Sequence, residues 1–174
     1  MLTFQKDSFC SYCGASFGEI STYPKNCSNC QNITYRNPIP VAVALLPTEN
    51  QGIITIQRNV EPQKGKLAFP GGYIDFGETW QQALVREVHE ETQMQLSPEL
   101  FQVFDVHSPP QNASVVLIFG IYQQKLREMD WANFQPTTET SRLVVLQEFQ
   151  ELAFPLHSYV LKRFFEGSAY SKTL

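Results

Sequence analysis

The chain has no long apolar run and only a small surplus of charge. No stretch approaches the ~20 consecutive apolar residues that a membrane-spanning helix requires. The formal net charge of −4 over 174 residues gives no general attraction to nucleic acids or anionic membranes. The first residues, MLTFQKDSF, lack the apolar core of a secretion signal. From these absences we expect a cytoplasmic protein with no membrane partner.

Cysteine is absent after position 30, and the four cysteines form two CxxC pairs, Cys10 with Cys13 and Cys27 with Cys30. Each pair can form a tight turn that offers two thiolates, and two such turns can surround one zinc ion. Gly14 suits the first turn because glycine tolerates a positive φ. Two disulfides would be unusual in the cytosol, and a redox CxxC would leave the second pair unexplained. We predict a structural zinc ribbon whose folding depends on the metal.

The length allows one domain of ordinary size and a small additional module. A hydrophobic fraction of 43%, with 13 phenylalanines, is enough for a packed core. The segment Asn37–Pro40 contains two prolines and predicts a linker. We therefore expect the ribbon over residues 1–37, a larger domain over 38–167 and a tail over 168–174.

Three glutamates cluster within one helix-like segment of the larger domain. Arg86 is followed by Glu87, Glu90 and Glu91, and spacings of three and four residues place these carboxylates on one helix face. Such a group repels itself unless positive charge lies near it, and one arginine is adjacent. A solvated charged face is the alternative to a cation site. Hard oxygen ligands favour Mg²⁺ or Mn²⁺ over Zn²⁺.

The segment GYIDFGETWQQALVREVHEETQM resembles the signature of the Nudix hydrolases. That signature is a glycine, five residues, a glutamate, seven residues and then Arg-Glu-apolar-x-Glu-Glu-x-Gly-apolar. The positions that match it are Gly72, Glu78, Arg86, Glu87, Val88, Glu90, Glu91 and Met94. Gln93 stands where the signature has its second glycine, which would end the helix in a left-handed conformation. With glutamine there, we expect the helix to run slightly longer or to end differently.

The resemblance implies an α/β/α sandwich with a mixed sheet and hydrolysis of a diphosphate linkage with Mg²⁺ or Mn²⁺. It also implies the ligands of the metal. Glu87 and Glu91 would be the principal ligands, and Glu90 would be a further one, directly or through water. The carbonyl of Gly71 would complete one site.

Other roles also follow from the resemblance. Arg86 would orient the acidic cluster through Glu78, and the alternative is an ordinary ion pair on the helix surface. The general base in relatives is a glutamate of the signature or of a later loop, for which Glu139 in the sequence PTTETS is the candidate. His89 is predicted to point away from the acidic face, so we expect it to be exposed or at the edge of the core and not to be the base.

Hydrophobic patterns predict the elements of this fold. Strands are predicted at Val41–Leu46, Gly52–Gln57, Tyr73–Asp75, Leu100–His107, Ser114–Gln123 and Arg142–Leu146. Helices are predicted at about Thr79–Gln93 and around Leu156–Phe164, with loops over 59–70 and 125–138. Thr79 and Gln82 form a capping-box pattern at the first helix. The strand at 114–123 is too apolar for an edge and is placed inside the sheet.

The layout of the chain bears on the substrate. A four-cysteine ribbon, the segment TYRNP and a box that opens with PGGYIDFGE resemble pyrophosphatases of FAD, ADP-ribose and related dinucleotides. NADH pyrophosphatases share this layout but carry Ser-Gln-Pro-Trp after the box, where this chain has Ser108–Gln111 (SPPQ). The difference disfavours NADH and NAD-capped RNA. A non-catalytic nucleotide-binding regulatory module is a further alternative, disfavoured because every acidic position of the box is present.

We therefore expect a dinucleotide or another nucleoside diphosphate derivative as the substrate. Phe69, Tyr73 and Phe76 are candidates for stacking on its rings, and each has an ordinary core role as the alternative. Lys64 and Lys66 are candidates for contacting its phosphates. Nucleic acid is not expected as a partner because the ribbon has no basic stripe interleaved with aromatics. The resemblance allows a homodimer.

Overall fold

The structure, a computed structural model, describes residues 7–18, 22–110 and 114–170, without the side chains of 168–170. Gln111 of the predicted specificity segment and positions 171–174 of the predicted tail lie outside the described residues. The chain divides into two compact units, Met1–Pro38 and Ile39–Leu174. Within the described ranges, no helix is both long and apolar enough to cross a membrane.

The first unit is small and contains one short antiparallel pair, β1 (Lys25–Asn26) and β2 (Ile33–Thr34). Its buried core consists of Phe17 and two of the cysteines, Cys10 and Cys27. A core of this size excludes little apolar surface from water, so such a unit ordinarily needs a metal or disulfides for stability.

The second unit contains seven strands and two helices among its described residues. The strands are β3 (Ile39–Pro47), β4 (Ile53–Arg58), β5 (Leu67–Ala68), β6 (Gly71–Tyr73), β7 (Phe101–His107), β8 (Val115–Tyr122) and β9 (Thr140–Leu146). The helices are α1 (Trp80–Thr92) and α2 (Pro155–Tyr170). All six predicted strands and both predicted helices are present.

Four details differ from the predictions. Strand β3 includes Ile39 and Pro40, which were assigned to the linker. Strand β6 starts two residues before the predicted Tyr73–Asp75 strand, and β5 lies inside the predicted loop over 59–70. Helix α2 continues to Tyr170, past the predicted start of the tail. In the three strand cases, a backbone hydrogen-bond partner on another strand extends or creates the element, and the local sequence does not show that partner.

The sheet is mixed, as predicted. Its strands follow the order β5-β4-β3-β8-β7 in the described part of the chain, with β6 paired to β3 and β9 paired to β4. Strands β3 and β8 are parallel, and the other pairs are antiparallel. Strand β8 lies between β3 and β7, which confirms its predicted interior position.

Successive side chains of β3 enter two different cores. Ala42 and Ala44 pack in the cluster that contains Leu84 of α1. Val43 packs in the cluster that contains Val160 of α2. Since neighbouring residues of a strand face opposite sides of the sheet, α1 and α2 cover its two faces. The predicted α/β/α sandwich is confirmed.

Helix α1 lies close to the sheet because Gly120 of β8 has no side chain. A Cβ atom at Gly120 would lie 2.4 Å from Cδ1 of Leu84 and 2.8 Å from Cζ3 of Trp80, so any other residue would force these two side chains of the helix to shift. The close approach brings the acidic residues of α1 within reach of β6.

Both ends of α1 are defined by side chains. The hydroxyl of Thr79 accepts the N–H of Gln82, and the Gln82 carboxamide accepts the N–H of Thr79, which confirms the capping box. At the other end, the expectation that Gln93 would change the helix end is wrong. Gln93 itself adopts the left-handed conformation, with φ of 65° and ψ of 6°, directly after Thr92. Glutamine therefore ends the helix at the position where the signature has glycine.

Candidate active site and metal centre

The candidate active site is formed where α1 passes over β6. The N–H of Gly71 donates a hydrogen bond of 2.8 Å to Oε2 of Glu91. A Cβ atom at Gly72 would lie 2.3–2.6 Å from the carboxylate atoms of Glu87. The two glycines thus leave the space that the two carboxylates occupy, which explains the glycine pair on this strand.

Arg86 connects the acidic side chains around the start of α1. Its Nε and Nη2 donate to the two carboxylate oxygens of Glu78 at 2.8 and 3.0 Å. Its Nη1 donates to Glu87 at 2.7 Å and to Glu90 at 3.4 Å, and its Nη2 also donates to the carbonyl of Tyr73 at 2.9 Å. Arg86 therefore lies between Glu78 and Glu87, where a positioning role would place it. The guanidinium also lowers the pKa of Glu78.

Burial sets the electrostatics of the two inner carboxylates. Burial raises the pKa of Glu91 to about 8; the Gly71 N–H opposes this shift, and the negative charges of Glu87 and Glu139 add to it. The pKa of Glu87 is also raised, first by burial, against the opposing effect of Arg86. Both shifts show that negative charge is costly at this point without a further cation.

Glu90 and Glu139 lie at the solvent side of the cluster. Glu90 is exposed and Glu139 is exposed. The charge of Glu139 raises the pKa of both Glu87 and Glu91, so the fold brings this loop residue towards the helix.

The carboxylates suit a divalent cation that shares its coordination with substrate and water. Among the described residues, only one group of three or more histidine, cysteine, aspartate or glutamate side chains has donor atoms that converge, and it is the four cysteines. Glu87 and Glu91 instead point to Arg86 and Gly71. Mg²⁺ commonly binds one or two carboxylates and completes its shell with waters and phosphate oxygens. One buried and one partly buried carboxylate, Glu91 and Glu87, both with raised pKa values, fit that kind of site.

The aromatic and basic candidates take different positions. Phe69 is buried in the α2-side core, so its proposed stacking role is wrong. Tyr73, the last residue of β6, is more than half exposed, and Phe76, on the segment that joins β6 to α1, is fully exposed. Lys64 and Lys66 are exposed in the loop before β5. Unlike Phe69, Tyr73 and Phe76 do not pack in the core, so their rings remain candidates for stacking on a substrate.

Three residues of the site had no assigned role in the sequence. Arg58, at the end of β4, lowers the pKa of Glu91, and it gave no signal beyond being one arginine in a loop-like region. His157 of α2 is buried, and its Nδ1 accepts the backbone N–H of Phe69 at 3.2 Å, just before the glycine pair. Gln93 did give a signal, because it departs from the signature. His89 is exposed, as expected.

The four cysteines of the first unit converge on one point. Their Sγ atoms lie within 4.8 Å of one another, and the Cys10–Cys30 and Cys13–Cys27 distances are both 3.7 Å. A disulfide has an S–S length of about 2.05 Å, and all four cysteines are free. Four sulfurs around zinc would be separated by about 3.8 Å, given Zn–S distances near 2.3 Å in a tetrahedron.

The turns that carry the cysteines are built alike. The carbonyl of Cys10 accepts the N–H of Gly14 at 2.9 Å, and the carbonyl of Cys27 accepts the N–H of Gln31 at 2.9 Å. Gly14 and Gln31 both have positive φ, 72° and 62°. The turn predicted at Gly14 is present, and glutamine takes the equivalent position in the second turn.

Side-chain amides support the thiolates. Asn29 Nδ2 donates to Sγ of Cys13 at 3.5 Å and lowers the pKa of that thiol to about 6. Asn32 Nδ2 donates to Sγ of Cys30 at 3.5 Å. Since metals bind the thiolate form, the lowered pKa of Cys13 favours metal binding at that sulfur at neutral pH. Against backbone hydrogen bonds that lower it, burial and the Cys13 thiol raise the pKa of Cys27 to about 11. The four-sulfur donor set therefore fits a closed tetrahedral metal site.

Comparison with known proteins gives the family. The NUDIX domain matches residues 38–166. The ADP-ribose pyrophosphatase of Methanocaldococcus jannaschii is 30% identical over 134 residues, which cover 74% of this chain and 73% of the relative. The NAD-capped RNA hydrolase NudC of Salmonella typhi is 30% identical over 90 residues, but these cover 51% of this chain and only 34% of NudC.

The fold comparison agrees with the sequence comparison. The crystal structure of a NUDIX hydrolase from Nitrosomonas europaea matches with a TM-score of 0.72 and 26% identity, covering 94% of this chain and 93% of the other. Together with the domain match, this shows that the chain belongs to the Nudix hydrolase family.

Proposed function

We propose that the protein is a Mg²⁺- or Mn²⁺-dependent pyrophosphohydrolase that cleaves the diphosphate linkage of an ADP-ribose- or FAD-type substrate. The observation that carries the proposal is the pair of carboxylates, the partly buried Glu87 and the buried Glu91, held over Gly71 and Gly72 within a Nudix signature. The substrate class is supported by the relative named ADP-ribose pyrophosphatase, of which the match covers 73%.

The same residues provide the metal ligands in this proposal. Glu87 and Glu91 are the principal ligands, Glu90 binds directly or through water, and the Gly71 carbonyl completes one site. The bound cation supplies neutralisation of the diphosphate charge and a lower pKa for a bound water. Arg86 is a positioning residue: its double hydrogen bond to Glu78 fixes the guanidinium that holds Glu87.

Glu139 is our candidate for the general base. Water attacks one phosphorus of the diphosphate, and a new O–P bond forms while the bridging P–O bond breaks. The proton of the water passes to the Glu139 carboxylate, and the second phosphate leaves with the bridging oxygen. Two observations support this choice: Glu139 is exposed to water, and its charge acts on both Glu87 and Glu91. A glutamate of the signature is the alternative base.

Two exposed aromatic residues and a structural zinc site complete the proposal. Tyr73 and Phe76 are exposed beside the acidic cluster and offer rings on which an adenine or flavin can stack. The first unit binds one structural zinc through Cys10, Cys13, Cys27 and Cys30, with no ligand position left for chemistry.

A second candidate substrate class is NADH or NAD-capped RNA. It is favoured by the NudC relatives, one of them 30% identical over 90 residues. The chain spans about a third of their length, and it has SPPQ where NADH pyrophosphatases carry Ser-Gln-Pro-Trp. We therefore rank this class below ADP-ribose and FAD.

A substrate panel tests the proposal. The purified protein is incubated with Mg²⁺ or Mn²⁺ and FAD, ADP-ribose, NADH, NAD-capped RNA, diadenosine polyphosphates or nucleoside triphosphates, and products are separated by chromatography. The proposal expects the highest kcat/KM for ADP-ribose or FAD and two phosphate-containing products. Highest kcat/KM for NADH or capped RNA would establish the second candidate, and highest kcat/KM for a triphosphate would refute both.

A further inference from the structure

Gln93 occupies a backbone conformation that glutamine disfavours. Its φ of 65° lies in the left-handed region, where residues with a Cβ atom are strained and glycine is preferred. Its N–H continues the helix pattern by donating to the carbonyl of His89 at 2.8 Å. A glycine would meet these backbone requirements with less strain, so the side chain of Gln93 needs a separate explanation.

That side chain makes two hydrogen bonds to the backbone of a single residue far along the chain, Gln135. Gln93 Oε1 accepts the backbone N–H of Gln135 at 2.9 Å, and Gln93 Nε2 donates to the backbone carbonyl of Gln135 at 3.2 Å. We call this reciprocal pair of bonds the Gln93 clamp. A carboxamide satisfies a donor and an acceptor of one residue in the same way that a neighbouring strand does.

The clamped segment leads directly into the turn that presents Glu139. The Thr137 hydroxyl accepts the N–H groups of Glu139 and Thr140 at 3.2 and 3.0 Å, and the N–H of Thr137 donates to the carbonyl of Thr140 at 2.8 Å. The turn is therefore stiff over these four residues. Movement of Gln135 would tilt Thr137 and carry Glu139 with it.

The far side of the turn is fixed to a different element. The backbone N–H of Asn59, which follows β4, donates to the carbonyl of Glu139 at 2.7 Å. Thus the segment is attached to β4 through Asn59 and to the end of α1 through Gln93. The second attachment sets the distance between the loop and the helix that carries Glu87 and Glu91.

We propose that Gln93 is a positioning residue for Glu139: the Gln93 clamp holds the loop over the acidic face of α1. The inference rests on the proposed function of Glu139 as the general base. It accounts for glutamine at a position where the family signature has glycine, because only a side chain of this length and chemistry can join α1 to Gln135.

The test compares Gln93→Gly with the wild type, alone and combined with Glu139→Gln. Glycine keeps the left-handed helix end, so the variant is expected to fold with an unchanged or higher Tm. It loses the clamp, so kcat should fall about tenfold while KM changes less than twofold, because a misplaced base affects the reaction more than binding. In the Glu139→Gln background, Gln93→Gly should cause no further loss.

Two further measurements separate the clamp from a general effect on the helix. Gln95→Ala changes an exposed glutamine outside the clamp and should leave kcat unchanged. Amide hydrogen exchange at Gln135, followed by NMR, should be faster in Gln93→Gly than in the wild type because the bond to Gln93 Oε1 is gone.

The outcomes discriminate between the inference and its basis. A wild-type kcat for Gln93→Gly, or equal losses in both backgrounds, would overturn the clamp and leave the base in place. A wild-type kcat for Glu139→Gln would remove Glu139 as the base and the positioning role with it. Unchanged exchange at Gln135 in Gln93→Gly would show that the clamp does not hold the loop.

Discussion

The backbone N–H of Gly71 and the carboxylate of Glu91 join strand β6 to helix α1 through a hydrogen bond of 2.8 Å. This bond satisfies one oxygen of a carboxylate that is otherwise buried beside Glu87. One neutral donor offsets only part of the cost of burying a negative charge, which is why the pKa of Glu91 stays raised at about 8. The site is thus built at a cost to stability that a cation would relieve.

Neutralising a carboxylate should therefore separate stability from activity. Glu91→Gln keeps an oxygen that can accept the Gly71 N–H and removes the buried charge, so we expect an equal or higher Tm in EDTA. Turnover should fall by about two to three orders of magnitude because a metal ligand is lost. Glu87→Gln should show the same loss of kcat with an unchanged far-UV CD spectrum. Near-normal turnover of either variant would refute its role as a principal ligand.

The two glycines of β6 should respond differently to alanine. At Gly72 the added Cβ would meet the flexible end of the Glu87 side chain, so Gly72→Ala should fold but lose about tenfold or more in kcat. At Gly71 the Cβ would lie 2.3 Å from the backbone carbonyl oxygen of Ala42, at a φ of 152°. Gly71→Ala should therefore lose about 3 kcal/mol or more of unfolding free energy. Urea denaturation and kcat of both variants provide the test, and equal stability losses would contradict it.

Arg86 should not be replaceable by lysine. An ammonium keeps the charge but cannot bond both oxygens of Glu78 while also reaching Glu87 and the Tyr73 carbonyl. We expect Arg86→Lys to lower kcat about tenfold to a hundredfold with a smaller change in KM. Lys162→Ala, on the exposed side of α2, serves as the control for loss of a surface cation. Wild-type kinetics for Arg86→Lys would refute the positioning role and show that Arg86 forms only an ordinary ion pair on the helix surface.

Local spacing explains how much of the site was predictable. Helical spacing places Glu87 and Glu91 on one face, and two CxxC pairs place four thiols in two turns, so both clusters could be derived from short segments. Contacts between distant segments could not. Arg58 and His157 act on the site from β4 and α2, and their partners there, Glu91 and Phe69, are distant in the sequence.

Backbone pairing accounts for the fold details that the sequence did not predict. Strand β5 is only two residues long and exists because β4 pairs with it, so its own composition carries no signal. Proline usually interrupts strand pairing because it has no N–H to donate. Pro40 nevertheless lies within β3, and its carbonyl accepts the N–H of Ile74 at 3.1 Å. Gln93 was misjudged for a related reason: its left-handed backbone is supported by a loop 42 residues away.

Metal removal should unfold the first unit selectively. We expect about one zinc per chain by elemental analysis, since the four sulfurs converge within 4.8 Å of one another and match the donor set of a four-cysteine zinc site. Stripping it with a strong chelator should abolish the amide exchange protection of residues around Cys13 and Cys27, because the core of this unit is too small to persist alone. Cys13→Ser should have the same effect. A metal-free first unit with intact protection would contradict the zinc ribbon.

The hydrogen bond from the Phe69 N–H to His157, just before the glycine pair in sequence, can be tested by its dependence on pH. Its imidazole packs against Phe69, Phe119 and Phe154, and its Nδ1 accepts the Phe69 N–H at 3.2 Å. Burial, with a smaller effect from the Arg58 charge, lowers the pKa of His157 to about 3. The buried ring is therefore neutral, and Nδ1 remains an acceptor at neutral pH.

The sign of the pH effect follows from the two pKa values of His157. In the unfolded state the histidine titrates near pH 6.5, and in the folded state its pKa is about 3. The stability that neutral His157 contributes is therefore complete above pH 6.5 and is lost as the pH falls towards 3. Between these limits the unfolded state binds more protons, and unfolding free energy should fall by about 1.4 kcal/mol per pH unit from this residue alone.

Two substitutions at His157 separate the hydrogen bond from the titration. Asparagine keeps an acceptor for the Phe69 N–H, whereas leucine keeps bulk and leaves that buried donor unpaired, at a cost of about 1–3 kcal/mol. Neither residue titrates, so urea denaturation of both variants between pH 6.5 and 4.5 should show a slope smaller than that of the wild type by about 1.4 kcal/mol per unit. Carboxylates elsewhere titrate alike in all three proteins and cancel in this difference. Wild-type slopes in both variants would mean that His157 is protonated in the folded state, and the bond to Phe69 could not then exist as described.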